Sequence, residues 1–307
     1  MFEMSGRLVV LGATGFVGSH VLARAAKEAW EVVALSSRDL DLSDDASVAT
    51  LAGIVEDGDT IVHAAAVVPT RNAIDIVRNL LITQNLTESL ANHEIAQLVV
   101  VSSDAVYGSE SGVTNEASSC APDSLHGVMS LAREMVCAEV STPVLTFVRP
   151  TAIYGIGDTH NSYGPNRFVQ HALDKGLVTL FGAGEAARDH VAIDDVAEVI
   201  FQAVATRQAG IINIACGESV SFGFLANLVK QLGPEGTSVE ITGSESSPTF
   251  RSYDISDLVR RFPSVRMRGL EEGLRGMLGM HGVTARSQSI RVGPDFEFSG
   301  VNRYGKC

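Results

Sequence analysis

Short apolar runs alternate with amphipathic stretches of helical length through the first half of the chain. RLVVLG (7–12), EVVAL (31–35), TIVHAAA (60–66), QLVVVSS (97–103) and PVLTFVRP (143–150) are dense in Val, Leu or Ile and bounded by polar or turn residues, as buried strands are. Between them, VGSHVLARAAKEA (17–29) and IDIVRNLLITQNLTESLANH (74–93) repeat apolar positions at helical spacing. Strands that are apolar throughout, each followed by a helix, predict a parallel sheet covered on both faces. Right-handed crossovers make it a doubly wound parallel α/β fold of the Rossmann kind.

The rhythm changes after Tyr154. GIGDTHNSYGPNRF (155–168) is turn-rich, FVQHALDKG (168–176) predicts a helix and VTLFG (178–182) a short strand. DDVAEVIFQAVATRQ (194–208) predicts a helix with Asp194 or Asp195 near its start, and GIINIAC (210–216) another buried strand. SVSFGFLANLVKQLG (219–233) predicts a helix capped by Ser219 or Ser221, EITG (240–243) a strand, and EEGLRGMLGM (271–280) a last helix. The expected organisation is a dinucleotide-binding domain over 1–155, its sheet completed by about 190–216. A smaller C-terminal lobe follows from 156–189 and 217–280, and 281–307 is a polar, Gly-rich tail.

Composition narrows the class. The formal net charge is −13, so the surface repels phosphate backbones and a nucleic-acid partner is not expected, although a local basic pocket for a small phosphate is compatible. Hydrophobic residues make up 45% and charged residues 19%, as in a soluble globular protein. Cys120, Cys137, Cys216 and Cys307 are far apart and form neither a CxxC nor a metal-ligand spacing, which fits reduced thiols in a cytoplasmic protein without a structural metal. No apolar run reaches the ~18 residues that would span a membrane, and the lead MFEMSGRLVVLGATG lacks the basic segment of a signal peptide.

Chemistry first shows in LVVLGATGFVGSHVLARA (8–25), where Gly12, Gly15 and Gly18 stand between a strand and a helix. Gly12 permits the tight turn, Gly15 lets the backbone approach a pyrophosphate, and Gly18 lets helix and strand pack closely. The following helix start, with Thr14, Phe16 and Val17, would face the phosphates. The second strand ends in LSSRDLDLSD (35–44). Ser36 with Arg38 suits a 2′-phosphate and favours NADP(H) over NAD(H), whereas Asp39 could hold ribose hydroxyls in the NAD manner.

Taken together, these segments resemble the extended short-chain dehydrogenase/reductases of the NAD-dependent epimerase/dehydratase group, which modify nucleotide sugars. The similarity runs from the glycine loop to about residue 279. DLDLSD (39–44) is similar to the family's third-strand segment, which implies that Asp41 and Leu42 contact adenine. VHAAA (62–66) resembles its cofactor-lining motif through Ala64, Ala65 and Ala66, and NLLITQNL its Asn…Thr…Asn helix through Asn79, Thr83 and Asn85. VSSDAVYG (101–108) resembles its serine motif, with Ser102 near the cofactor and Ser103 on the substrate oxygen. RPTAIYGIGD (149–158) resembles its Arg-Pro segment, implying cofactor contacts from Pro150 and Ile153. RDHVAIDDVAEVI, INIACGESVSFGFLA and YDISDLVRRFP follow in the family's order. SSRDLDLSD is closest to the NADPH-dependent 4-keto-sugar reductases such as GDP-fucose synthases. By family position Asp104, Asn166, Arg167 and Arg188 would bind substrate, with Arg188 on the diphosphate. The resemblance also implies a homodimer, formed through two helices of each copy.

One motif is broken. The family's chemistry uses a tyrosine as acid/base and a lysine four residues later on the same helix face. The matching stretch is HGVMSLARE (126–134), with His126 for the tyrosine and Ser130 for the lysine. Imidazole, with a pKa of about 6.5, exchanges protons near neutrality without a lysine, whereas a phenol at about 10 needs help. The expectation is an NAD(P)-dependent reductase or epimerase acting on an NDP-4-keto-6-deoxy sugar, with Ser103, His126 and Ser130 at the chemistry. The alternative is a catalytically inactive NADP-binding sensor or scaffold of the same fold.

Overall fold

The computed structural model describes residues 6–110, 112–243 and 249–283. The expected tail lies, from 284 onward, outside the described residues. The chain opens with β1 (Arg7–Leu11), α1 (Phe16–Ala25), β2 (Glu31–Leu35), α2 (Ser47–Ile54), β3 (Thr60–His63), α3 (Ala73–Leu90) and β4 (Gln97–Val101). A 3-10 turn at Asp104–Tyr107 and the short β5 (Gly112–Thr114) lead to α4 (Leu125–Cys137), β6 (Leu145–Pro150) and β7 (Ala152–Tyr154). Then come α5 (Pro165–Lys175), β8 (Leu177–Phe181), β9 (Ala187–Ala192), α6 (Ile193–Ala205) and β10 (Gly210–Ile214). β11 (Ser219–Ser221), α7 (Phe222–Leu232), β12 (Ser238–Thr242), β13 (Arg251–Tyr253), α8 (Ser256–Arg261) and α9 (Leu270–Met280) follow.

The six runs expected as buried strands build one parallel sheet in the order β2-β1-β3-β4-β6-β10. Their side chains alternate between two cores, as the period of a strand demands. Leu8 and Val10 join Val62, Val99, Val148, Ile200 and Phe201 under α1 and α6. Val9 and Leu11 join Ile61, Leu98, Val100, Leu51, Ile82 and Leu86 under α2 and α3. Full burial of each such side chain contributes about 1.5–3 kcal/mol, so both sheet faces are anchored.

The sheet's connection reverses at β1, with β2 on one side and β3 on the other. That reversal opens a crevice beyond the carboxyl ends of β1 and β3, where open α/β sheets bind ligands. DLDLSD, resembling a third-strand segment, forms no strand. Asp39 Oδ2 accepts from Ser36 N (2.9 Å) and Ser36 Oγ (2.6 Å), and Asp41 Oδ1 from Ser43 N (3.0 Å) and Ser43 Oγ (2.7 Å). These local side-chain bonds hold the segment in turns and leave β2 as the sheet edge.

A third core, of Tyr154, Phe168, Leu180, Leu225, Val229, Leu274 and Leu278, joins α5, α7, α9 and β8. Ser221 caps α7 by accepting from Phe224 N (3.1 Å), one of the two caps anticipated. β13 pairs with β5, stitching the late part of the chain to the segment after the serine motif. Among the described residues, no helix is long and apolar enough to cross a membrane.

Candidate active site

A cleft of about 340 Å³ occupies the crevice. Gly12, Thr14, Gly15, Ser36, Asp41, Leu42, Ala64, Ala65 and Ala66 line it, nine of the residues anticipated for a cofactor. Gly12 has φ +84°, and a Cβ there would lie 2.7–2.8 Å from the Ala64–Ala65 backbone, so only glycine lets β1 and β3 close on this side. Gly18 faces the Gly12 carbonyl too closely for any side chain, and Phe16 and Val17 turn into the core beside it. Gly15 precedes α1 without a side-chain cap, and the first turn carries no acid. The open N–H groups of that turn, next to a cleft floored by glycine backbone, fit the pyrophosphate of a dinucleotide.

Several anticipated contact residues shape the cleft rather than face it. Asn79 is fully buried, accepts from Val67 N (2.9 Å) and donates to the carbonyls of Val67 (2.9 Å) and Asp75 (2.8 Å). Asn85 donates to the Leu42 carbonyl (2.9 Å), and Thr83 to the Asn79 carbonyl (2.9 Å). The Asn…Thr…Asn helix thus clamps both walls from behind. Ser102 gives its hydroxyl to Glu134, which Arg149 also grips through Nε (2.9 Å) and Nη2 (2.6 Å). Arg149 Nη1 reaches Tyr107 Oη (2.9 Å), and Tyr107 donates to Asn213 Oδ1 (2.8 Å), forming a buried brace under the serine turn. Pro150 ends β6 and Ile153 lies in β7, and neither lines the cleft.

The cation on the cleft wall is a surprise. Arg38 is exposed and does not line the cleft, whereas Arg78, one residue before the Asn79 clamp, does. Its guanidinium approaches Asp41 Oδ2 (3.4 Å) and Ser43 Oγ (3.3 Å) and stays half-exposed. No local motif pointed to it, because the contact joins α3 to the loop after β2.

Beyond the cleft, the serine motif and α4 come together. Ser103 caps the 3-10 turn, accepting from Ala105 N (3.1 Å) while its hydroxyl lies 3.4 Å from Asp104 Oδ1. Gly127, at the first turn of α4, packs directly on the Ala105 carbonyl, where a Cβ would collide. Ser124 caps that helix by accepting from Gly127 N (3.1 Å). This contact sets His126 beside the Ser103–Asp104 turn. Burial lowers the His126 pKa below its usual 6.5, the Asp104 carboxylate opposes the shift, and Arg133 and His160 reinforce it. Nδ1 of His126 is buried without a partner.

Ser130 sits differently from its anticipated role. It is 1% exposed and its hydroxyl donates to the His126 carbonyl (2.9 Å) one turn back. It therefore offers neither a charge nor a free proton to the cleft. Asp104, expected on substrate, is bound to Arg251 Nη1 (3.1 Å) and accepts from Tyr253 Oη (2.6 Å), tying the serine turn to β13.

The remaining substrate candidates also carry structural bonds. Asn166, in the first turn of α5 after Gly164 and Pro165, accepts from Gly155 N (3.0 Å) and donates to Asp158 Oδ2 (2.5 Å), closing the turn-rich loop. Arg167 donates to the Asn161 carbonyl (3.1 Å). Arg188 donates to the carbonyls of Ala187 (2.8 Å) and Thr249 (3.1 Å).

Sheet order, glycine turn and cleft place the chain in the Rossmann class of α/β proteins. The sequence model of the NAD dependent epimerase/dehydratase family matches residues 8–215, and the chain belongs to that family, in its extended short-chain dehydrogenase/reductase form. It is 27% identical over 221 residues to an uncharacterized UDP-glucose epimerase, YtcB, of Bacillus subtilis (strain 168), covering 62% of this chain and 69% of that one. It is 25% identical over 302 residues to a GDP-L-fucose synthase of Azorhizobium caulinodans, covering 88% and 94%. The solved structure of MoeE5 in complex with UDP-glucose and NAD superposes with a TM-score of 0.74 at 23% identity, covering 90% of this chain and 99% of that one.

Proposed function

We propose that the protein is an NADP(H)-using nucleotide-sugar reductase or epimerase, acting on an NDP-4-keto-6-deoxy sugar, in which His126 handles the proton. The observation that supports this is the packing of Gly127 on the Ala105 carbonyl, which joins the start of α4 to the turn that Ser103 caps, together with the buried, unpartnered Nδ1 of His126. Bound cofactor supplies or accepts the hydride. The chain's own part is to hold the keto oxygen on the Ser103 hydroxyl and to give it a proton from the His126 imidazolium, or to remove one in the reverse direction. The lobe of 156–189 and 217–280 supplies the sugar-nucleotide side.

Two further features support the details. Arg78, Ser36 and Ser37 all line the cleft, a set that suits a 2′-phosphate better than a free ribose and favours NADP(H). Ile74 and Val77 on α3 and Val128 and Met135 on α4 leave apolar side chains exposed on two helices that pack together, a surface that suits a homodimer. The test is NADPH oxidation by purified protein across a panel of NDP-4-keto-6-deoxy sugars. Turnover is expected. Cofactor binding with no turnover on any of them favours the second reading, a dinucleotide-binding sensor or scaffold, to which the buried Ser130 lends support.

A further inference from the structure

A strand of the second lobe reaches into the serine turn. β13 carries Arg251 and Tyr253 two residues apart and so on one side, as the strand period demands, and both are buried. Tyr253 Oη donates to Asp104 Oδ2 (2.6 Å). Arg251 Nη1 donates to the same oxygen (3.1 Å) and to Tyr253 Oη (3.0 Å), and its Nη2 donates to the Gly108 carbonyl at the end of the turn. The strand is itself anchored: Tyr253 is in register with Thr114 of β5, and Ser219 Oγ donates to the Arg251 carbonyl (2.5 Å). Burial and the neighbouring Asp104 carboxylate push the Tyr253 phenol above its usual 10, so it stays a donor.

Two bonds from β13 thus fall on one oxygen of Asp104, and the other, Oδ1, is left on the Ser103 side, 3.4 Å from the Ser103 hydroxyl. Asp104 precedes Ala105, whose carbonyl meets Gly127 where a Cβ would collide, and His126 precedes that glycine. The carboxylate and the imidazole therefore flank one backbone contact. Burial disfavours the imidazolium; of the charges facing it, Asp104 of the serine turn favours it, while Arg133 on α4 and His160 in the loop after β7 disfavour it. Asp104 is the one anion of these three. A phenol giving up its proton becomes an anion and is helped by a cation, as from a lysine. An imidazole is charged before it gives its proton, so the group that helps hold that proton is an anion.

We propose that Asp104 is a positioning residue for the proton donor: held on Oδ2 by Arg251 and Tyr253, it stabilises the His126 imidazolium, and Arg251 limits that stabilisation by offsetting part of its charge. Resting on His126 as the proton-handling group, this gives Asp104 a role away from the substrate. Through β13, the second lobe then sets how readily His126 gives up its proton. A merely mechanical tie between turn and strand predicts no change at the imidazole when the charges of the tie are altered. An electrostatic one predicts changes of opposite sign for the anion and for its counter-charge.

The test is titration of the His126 ring in the full chain, followed by NMR through its Cε1–H resonance, which His126→Ala identifies by its loss. Asp104→Asn is expected to lower the midpoint by about one pH unit, and Arg251→Met to raise it by about half a unit, because the carboxylate then lacks its counter-charge. An unmoved midpoint in Asp104→Asn, or shifts of the same sign in the two variants, overturns the proposal. Should Arg251→Met not fold, Tyr253→Phe takes its place: a smaller rise is expected, and a fall or no change overturns the proposal. NADPH oxidation across the sugar panel separates the two claims. Midpoints that move as expected in a protein without turnover uphold the coupling of Asp104 to His126 and remove His126 as the proton donor. Turnover with unmoved midpoints overturns the coupling alone.

Discussion

The two ends of this site have been treated differently. At the dinucleotide end the parts reinforce one another: Gly12 closes on Ala64–Ala65, Gly15 leaves the α1 start open, and Asn79 and Asn85 brace the walls. At the α4 end the polar groups are bound or buried individually: the Ser130 hydroxyl is spent on the His126 carbonyl, Nδ1 of His126 is buried without a partner, and Arg133 donates to two backbone carbonyls. The contrast teaches that a fold holds a helix in place through packing and backbone contacts, such as Gly127 on the Ala105 carbonyl, that are separable from the groups doing proton chemistry.

The largest effect is expected at the reinforced end. Gly12→Val places a branched side chain at φ +84° against the β3 loop, and should lower stability by about 3 kcal/mol and abolish dinucleotide binding. Thermal melting with and without NADPH checks it, and a variant that melts and binds like the wild type removes the claim that this turn is required. Next comes the nucleotide preference. Arg78→Ala should cut the affinity for NADPH over NADH about tenfold, while Arg38→Ala changes it less than about twofold. The reverse outcome would return the 2′-phosphate to Arg38.

Acid should weaken the fold through its neutral histidines. Burial depresses His190 to about 4, and lowers His63 and His126 as well. As pH falls below about 6.5 the unfolded chain takes up protons that the folded chain refuses, so stability drops by up to about 1.4 kcal/mol per pH unit per histidine until each folded pKa is reached. Melting curves between pH 7 and 4 should show this slope, and His190→Phe should make it shallower; an unchanged slope would remove His190 from the acid sensitivity. The smallest effect belongs to Ser130→Ala. Its hydroxyl serves only a carbonyl on its own helix, so stability should change by about 0.5 kcal/mol and turnover by less than about twofold. A loss of turnover beyond about tenfold would restore Ser130 to the chemistry.

How much of this was legible in the sequence follows the range of the interactions. The six buried strands and the glycine turn are written in local pattern, and the structure has them at the expected places. The turns of 36–43 were not, since DLDLSD has a strand-like alternation that Asp39 and Asp41 override by bonding the backbone beside them. Arg78 could not be read, because it reaches the cleft from a helix more than thirty residues after the loop it meets. Arg133 was half visible: its spacing from Ser130 and Cys137 marks the buried face of α4, but nothing local says that its guanidinium goes to two backbone carbonyls. Asn166 and Asp104 were recognised as special, and the bonds that occupy them became visible only when distant segments met.

The central claim is that His126 has taken over the proton. The most direct measurement is single-turnover oxidation of bound NADPH on mixing with an NDP-4-keto-6-deoxy sugar, followed against pH for the wild type and His126→Ala. Because burial lowers the His126 pKa, the wild-type rate of reduction should fall as pH rises through a midpoint below 6.5, where the imidazolium donor is lost. His126→Ala should be slower by about 100-fold, bind NADPH as tightly as the wild type, and lose that midpoint. Equal rates and an unchanged pH profile in the two proteins would contradict the account.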